Sequence, residues 1–289
     1  MSLAPSLLDT APRCGLRPET PDGLAIAAEA FGPEGDAGII FIHGFSQSGL
    51  CWARQVASPA LAGLPLVTYD FRGHGASDKP LDPAFYQEPR RWADEVEAVR
   101  RAAGFGKAIL VGWSYAGRII GDYLAAYGTT HLGGIVFVDA VTSNDRAFYG
   151  SCNKLMRQMC SPALRDNLAA TTAFIQRCVA SPLDPQTTAA LLGINMMVPP
   201  QVRAALFGRP ADYEELLAGL DIPVLVTHGG RDEVVAPAMA HHIAAVVPGA
   251  QLVIFEDSGH APFLEAPEAF NAALAAFAGP ILAATGPVS

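Results

Sequence analysis

The sequence predicts an α/β protein with a mostly parallel central sheet that is flanked by helices and interrupted by a helical insertion. Short apolar runs alternate with amphipathic segments in the first and last parts of the chain, as in parallel strands joined by helical crossovers. The alternation stops between residues 141 and 213, where the pattern is helical and prolines are frequent. We therefore predict one core domain from residues 1–140 and 214–289, with residues 141–213 inserted as a helical cap.

Composition narrows the possible class of protein. Hydrophobic residues make up 51% of the 289 residues and charged residues 16%, so a large buried core is expected. A formal net charge of −9 argues against nucleic-acid partners and against anionic membrane surfaces. The five cysteines form no CxxC pair or Cys/His cluster, which predicts reduced thiols and no metal site. Without a signal-like N-terminus or a membrane-length apolar run, we expect a cytoplasmic protein, and a homo-oligomer is compatible with this composition.

Six short apolar runs predict the main strands of the sheet. A further edge strand is predicted over residues 24–31, after a loose arm at residues 1–15. The carboxyl ends of parallel strands meet at one edge of a sheet, so polar residues that directly follow these runs are expected to converge there. The six runs cover residues 38–42, 65–71, 108–111, 134–138, 222–227 and 252–255.

Ser114 lies between the apolar run at 108–111 and a helical pattern that follows it. Gly112 and Ala116, two positions to either side, are small enough to let the chain turn sharply from strand to helix. Such a turn presents the serine hydroxyl and places the N–H of Tyr115 at a helix N-terminus, where it can donate to an oxyanion. The pattern indicates a nucleophile elbow, although on its own it also fits a plain turn.

A second turn after a strand supplies another candidate donor. The run at 38–42 ends in His43, Gly44 and Phe45, and the glycine lets the backbone turn over the sheet edge. We predict that the N–H of Phe45 is the second oxyanion donor. His43 is interpreted as a hydrogen-bonded scaffold residue.

The remaining catalytic groups are predicted from chain order. A serine hydroxyl is a poor nucleophile without a base, and a base histidine needs an acceptor that fixes its tautomer. Ser114, Asp232 and His260 each follow a predicted strand and supply these groups in the order Ser, Asp, His. Asp139 also follows a strand and is the alternative acid. We favour Asp232 because it ends the strand preceding that of His260, and we expect the Asp139 carboxylate to bind N–H groups in the first turn of the cap.

These stretches together resemble the α/β-hydrolase superfamily. The resemblance implies an α/β-hydrolase fold with its cap at residues 141–213, and the segment around Ser114 is most similar to the cofactor-free haloperoxidase/esterase branch. A serine at this position disfavours the haloalkane dehalogenases, which use aspartate there. The matching motifs are His43-Gly44-Phe45, residues 70–80, 112–117, 228–232 and 258–262.

The expected activity is hydrolysis of a carboxylic ester, or a related small acyl compound, through an acyl-enzyme. Ser114 is the expected nucleophile, His260 the general base and acid, and Asp232 the group that orients His260. The N–H groups of Phe45 and Tyr115 are expected to hold the oxyanion, and no metal or organic cofactor is required. The alternatives are a cofactor-free perhydrolase or haloperoxidase, a carbon–carbon-bond hydrolase with the same triad, and a non-catalytic small-molecule receptor.

Pocket residues are predicted from their positions near these groups. Trp113 adjoins the elbow and Val235 follows the acid, so both are expected to line the substrate pocket. Phe148, Met196 and Met197 lie in the predicted cap, where flexible methionine side chains adapt to irregular surfaces. We expect these three to control which acyl or alcohol groups bind.

Overall fold

The computed structural model describes residues 10–285, and its strands form one eight-stranded sheet. The strands are β1 (Cys14–Leu16), β2 (Ala28–Phe31), β3 (Ala37–Ile42), β4 (Leu66–Tyr69), β5 (Lys107–Trp113), β6 (Leu132–Val138), β7 (Val224–Gly229) and β8 (Gln251–Phe255). They are ordered β1-β2-β4-β3-β5-β6-β7-β8, with β2 antiparallel to both of its neighbours and the pairs from β4 to β8 parallel. The predicted fold class is confirmed, and each of the six predicted strands is present, with β8 only partly buried at the edge of the sheet.

Helices connect the strands and fill the segment between β6 and β7. Short 3₁₀ turns lie at Gly49–Trp52 and Arg146–Phe148. The α-helices are α1 (Ala53–Val56), α2 (Ala84–Gln87), α3 (Pro89–Ala102), α4 (Ala116–Tyr127), α5 (Asn153–Gln158), α6 (Leu164–Arg177), α7 (Pro185–Met196), α8 (Pro200–Ala205), α9 (Glu214–Ala218), α10 (Ala238–Val246), α11 (Pro262–Glu265) and α12 (Pro267–Thr285). Within residues 10–285, no helix is both long and apolar enough to cross a membrane.

The N-terminal edge of the sheet differs from the prediction. The predicted edge strand at 24–31 is shorter, as β2, and lies inside the sheet because β1 pairs with it on its outer side. The predicted loose arm at 1–15 therefore ends in a strand, and residues 1–9 lie outside the described part of the chain. A three-residue strand carries too few residues for its alternation to be recognised in the sequence.

The two faces of the sheet are covered by different helices. Successive side chains of a strand point to opposite sides, and on β3 the buried side chains of Ile40 and Ile42 join a cluster packed by α3, α4 and α10. Ile39 and Phe41 point the other way, into a cluster packed by α1, α11 and α12. Burial on both faces explains why the central strands are continuous apolar runs.

The segment between β6 and β7 is held together by a buried arginine. Arg203 donates to the carbonyl oxygen of Met159 at 2.8 Å and to Oδ1 of Asn167 on α6 at 2.7 Å, and it also bonds the carbonyl of Asn195 on α7. The guanidinium thus satisfies groups from three helical stretches at once. The bounds of the cap, residues 141 and 213, remain a prediction. The helices between them are joined through the Arg203 guanidinium.

One edge of the same segment is joined to the core by backbone hydrogen bonds. The N–H of Gly150 donates to the carbonyl oxygen of Val234 at 3.0 Å, and the N–H of Ala236 donates to that of Phe148 at 2.9 Å. Tyr149 and Val235 form a β-bridge between these bonds. The loop after β7 is therefore paired with the start of the helical segment.

The end of β7 tolerates no side chain at Gly229. A Cβ there would lie 1.7 Å from the carbonyl oxygen of Gly259. We expect Gly229→Ala to force β7 away from the loop before α11 and to lower the free energy of unfolding by about 1–3 kcal/mol, the usual cost of overpacking. Urea unfolding measures the change.

A matched glycine provides the control. Gly193 lies within α7, and a Cβ there would meet nothing within 4 Å. Gly193→Ala should leave stability unchanged or raise it by up to about 1 kcal/mol, since alanine favours helix more than glycine does. Equal stability of the two variants would contradict the close approach at Gly229.

Candidate active site

Ser114 occupies a strained turn between β5 and α4. Its φ is +57°, a left-handed value that is rare for a residue with a side chain. Its N–H donates to the carbonyl oxygen of Val138 at 2.9 Å, and its own carbonyl accepts from the N–H groups of Gly117 and Val141 at 3.0 and 2.9 Å. These bonds fix the turn from both sides, as a nucleophile elbow requires.

A hydrogen-bonded chain links Ser114 to two further residues. Nε2 of His260 lies 2.8 Å from Oγ of Ser114, and Nδ1 lies 2.7 Å from Oδ2 of Asp232. All three side chains are buried. With its Nδ1 proton donated to Asp232, the imidazole has its Nε2 lone pair free to accept the serine proton. The structure therefore brings together the three residues that were predicted from strand ends.

Asp232 is held as an anion by its neighbours. Oδ1 accepts from the N–H groups of Val234 and Val235 at 2.7 and 3.0 Å, and Oδ2 lies 3.1 Å from Nε2 of His228 as well as contacting His260. Burial alone would raise the pKa of this carboxyl, but the two imidazoles outweigh burial and hold the pKa below its ordinary range. The carboxylate therefore stays charged beside His260.

Asp139, the alternative acid, makes different contacts from those expected. Its Oδ1 accepts from the N–H of Gly229 on β7 at 2.8 Å, not from the first turn of the cap, and Oδ2 has no hydrogen-bond partner among the described residues. The backbone φ at Asp139 is +45°, a left-handed value that is rare for a residue with a side chain. Burial raises the pKa of its carboxyl to about 7, with His228 offsetting part of the effect. Asp139 thus lies beside the chain of hydrogen bonds without contacting the Nδ1 of His260.

The two predicted oxyanion donors lie next to Ser114. Neither the N–H of Phe45 nor that of Tyr115 donates to a protein acceptor within residues 10–285. The loop before Phe45 runs against the elbow, since a Cβ on Gly44 would lie 3.2 Å from Cβ of Ser114. Behind it, Nε2 of the buried His43 accepts from the N–H of Phe71 at 3.2 Å, which is the scaffold role expected.

A cavity of about 620 Å³ opens in front of Ser114. It passes between the sheet edge and the helical segment after β6, and its wall combines apolar side chains with several arginines. Val235 lines it as predicted. The lining residues are Phe45, Ser114, Tyr115, Arg118, Val141, Asn144, Arg146, Tyr149, Asn153, Met156, Arg157, Leu206, Phe207, Gly208, Arg209, Val234 and Val235.

The other predicted pocket residues lie outside this wall. Trp113 is buried beneath the site, where its Nε1 donates to the carbonyl oxygen of His260 at 2.7 Å and so positions that residue from below. Phe148 packs its ring 5.0 Å from that of His242 on α10. Met196 is the last residue of α7 and Met197 follows it. Apolar residues of α7 pack on the α12 side of the sheet, and Met197 is 57% exposed.

Comparison with known proteins identifies the family. A family model for the alpha/beta hydrolase fold matches residues 39–267, well over half of the chain. The chain belongs to the α/β-hydrolase family. It is therefore a hydrolase, as the motifs predicted.

Relatives of this hydrolase include esterases and a haloperoxidase. It is similar to a solved candidate aryl esterase from Burkholderia cenocepacia, with 33% identity and a TM-score of 0.89 over 93% of this chain and 100% of that chain. The esterase RhEst1 from Rhodococcus sp. ECU1013 shows 35% identity and a TM-score of 0.84 over 91% and 98%. Non-heme chloroperoxidase CPO-A1 from Kitasatospora aureofaciens is 25% identical over 253 residues, which are 83% of this chain and 90% of that protein. The predicted resemblance to the haloperoxidase/esterase branch is confirmed.

Sequence reasoning missed the arginines on the wall of the hydrolase cavity. Arg118 follows Ser114 by one turn of α4, and Arg146, Arg157 and Arg209 come from the segment after β6. The sequence contains one indication of this positive charge. Residues 141–213 contain seven arginines and lysines against four aspartates, whereas the whole chain has a net charge of −9.

His228 should make the stability of this hydrolase depend on pH. Burial would lower its pKa, but the charges of Asp139 and Asp232 and the hydrogen bond to Asp232 outweigh burial and raise the pKa from 6.5 to about 9. The folded protein therefore keeps a proton that the unfolded chain loses between these values. The resulting stabilisation is complete below pH 6.5 and disappears as the pH rises through about 9, with an upper limit on the order of 3 kcal/mol.

Urea unfolding at pH 6.5 and pH 9 tests this expectation. His228→Gln should show a smaller loss of stability between the two pH values than the wild type. His241→Gln, which changes an exposed histidine on α10, serves as the matched control and should behave as the wild type does. An equal loss in the wild type and in His228→Gln would show that His228 does not carry the effect.

Proposed function

We propose that this hydrolase cleaves carboxylic esters through an acyl-enzyme formed on Ser114. The observation that carries the proposal is the chain of hydrogen bonds from Ser114 through His260 to Asp232, which lies at the wall of a cavity large enough for a small ester. The esterases among the relatives support the same class of substrate.

The first half of the reaction transfers the acyl group. Nε2 of His260 accepts the proton of the Ser114 hydroxyl while Oγ attacks the ester carbonyl carbon. The carbonyl oxygen becomes an oxyanion, which the N–H groups of Phe45 and Tyr115 bind. When the intermediate collapses, the imidazolium gives its proton to the leaving alkoxide, and the alcohol departs.

The second half repeats these steps with water. His260 takes a proton from water as the water oxygen attacks the acyl-enzyme, and Ser114 leaves with that proton restored. The negative charge of Asp232 stabilises the imidazolium in both halves. The same acyl-enzyme could pass to hydrogen peroxide instead of water, and product analysis with peroxide present distinguishes this perhydrolase reaction from ester hydrolysis.

Ser114→Ala tests the nucleophile. Turnover of chromogenic esters should fall by more than about 10³-fold, since loss of a triad nucleophile leaves only binding and oxyanion contributions. Labelling by a fluorophosphonate should disappear as well. Ser181→Ala, which removes an exposed hydroxyl, is the control and should retain both. Retention of a tenth of the wild-type rate in Ser114→Ala would contradict the mechanism, and absence of both turnover and labelling in the wild type would favour a non-catalytic receptor.

Paired Asp→Asn substitutions test which acid orients His260. Asn is nearly the size of Asp, so the change removes the charge and the tautomer control without creating a cavity. We expect Asp232→Asn to lower kcat by about 10⁴-fold, as the same change does in a triad protease. Asp139→Asn should lower it far less, because Asp139 bonds the N–H of Gly229 instead. The opposite ranking would assign the acid to Asp139.

A further inference from the structure

The cavity in front of Ser114 is positively charged although the chain as a whole is negative. Its described wall contains four arginines and no aspartate or glutamate, while the net charge of the chain is −9. The arginines come from three places, namely α4, the 3₁₀ turn after β6, and the helical segment that follows it. A cluster of like charges from separate elements is unfavourable unless something balances it.

Arg209 is already balanced by the protein. Its guanidinium forms a buried ion pair with Asp122 on α4 and donates to the hydroxyl oxygen of Tyr115 at 3.1 Å. The ion pair packs the segment after α8 against α4. Arg209 is therefore assigned to the structure of the cavity rather than to a ligand.

The other three arginines have no carboxylate within 4.0 Å among residues 10–285. Most arginines elsewhere in the described chain do have such a partner, so this is a property of the cavity. Arg118 donates to two neutral oxygens, Oδ1 of Asn144 at 2.7 Å and the carbonyl of Arg209 at 3.0 Å, and lies 5.8 Å from the centre of the Tyr115 ring. The Arg157 guanidinium lies 5.3 Å from the centre of the Phe207 ring, and both Arg146 and Arg157 are exposed.

The chemistry of these groups selects the ligand. Guanidinium groups bind carboxylates through paired, charge-assisted hydrogen bonds. The same wall also carries apolar side chains from Phe45, Val141, Val235 and Leu206. These apolar side chains can pack against a hydrocarbon spacer, which needs no hydrogen-bond partners.

We propose that the substrate is an ester that also carries a carboxylate, separated from the ester carbonyl by an apolar spacer, and that Arg118, Arg146 and Arg157 bind this carboxylate. The inference rests on the proposed ester hydrolysis at Ser114. It specifies in addition that the substrate is negatively charged, and it identifies the residues that select this charge.

Matched ester pairs test the proposal separately from ester hydrolysis itself. One pair places the charge on the acyl side: 4-nitrophenyl hydrogen adipate and the corresponding carboxamide. The other places it on the alcohol side: 4-acetoxybenzoate and 4-acetoxybenzamide. In at least one pair, kcat/KM should be about tenfold or more higher for the carboxylate than for the amide. If the enzyme turns over neither the amides nor the carboxylates, the proposed function is contradicted. Equal turnover within both pairs would overturn only this inference.

Variants show whether the arginines cause the preference. Arg146→Gln combined with Arg157→Gln should reduce the carboxylate-to-amide ratio of kcat/KM to about twofold or less. Arg165→Gln, on α6 and outside the cavity wall, is the matched control and should keep the wild-type ratio. Circular dichroism verifies the fold of each variant. A ratio that survives in the double variant would contradict binding of the carboxylate by Arg146 and Arg157.

Competitive inhibition identifies the anion. Adipate and inorganic phosphate are compared as inhibitors of neutral-ester turnover at constant ionic strength, because salt screens charge attraction in general. Adipate should inhibit the wild type more strongly than phosphate does, and more strongly than it inhibits the double variant. Stronger inhibition by phosphate would overturn the assignment to a carboxylate.

Discussion

The buried carboxylate of Asp232 contacts two histidines through one oxygen and two backbone N–H groups through the other. These contacts are favourable only while the carboxyl is an anion, and its lowered pKa shows that they outweigh the cost of burial. The anion fixes the Nδ1 proton of His260 and thereby directs Nε2 at Ser114. The N–H donors come from the loop that follows Asp232, so the position of that loop determines the geometry of the whole site.

The sheet made the central part of the site predictable. Ser114, Asp232 and His260 each follow an apolar run that is recognisable in the sequence, and a parallel sheet brings the ends of such runs to one edge. The backbone donors at Phe45 and Tyr115 follow from the same rule. For Asp139 the rule gave the correct edge of the sheet but not the hydrogen-bond partner, because a short side chain at a strand end can reach either the next loop or the neighbouring strand.

The helical segment after β6 was predictable in type but not in orientation. A helical pattern states which residues share a face, yet it does not state which face meets the cavity when several short helices pack on one another. Met196 and Met197 were therefore assigned to the cavity although α7 packs elsewhere, while Arg157 and Met156 on α5 do line it. Arg203 shows the same limitation, since only the folded arrangement reveals that one guanidinium joins three helical stretches.

The backbone pairing between Phe148, Gly150 and the loop after Asp232 has a mechanical consequence. A movement of the helical segment that kept these bonds would have to rotate about this edge, which would act as a hinge. The N–H groups that hold Asp232 lie at the hinge, where a rotation produces the smallest displacement. Motions that admit a substrate at the far side of the cavity would thus leave the acid and its histidine almost stationary. In such a rotation, access to the cavity and the alignment of Asp232 with His260 would be separated along one loop.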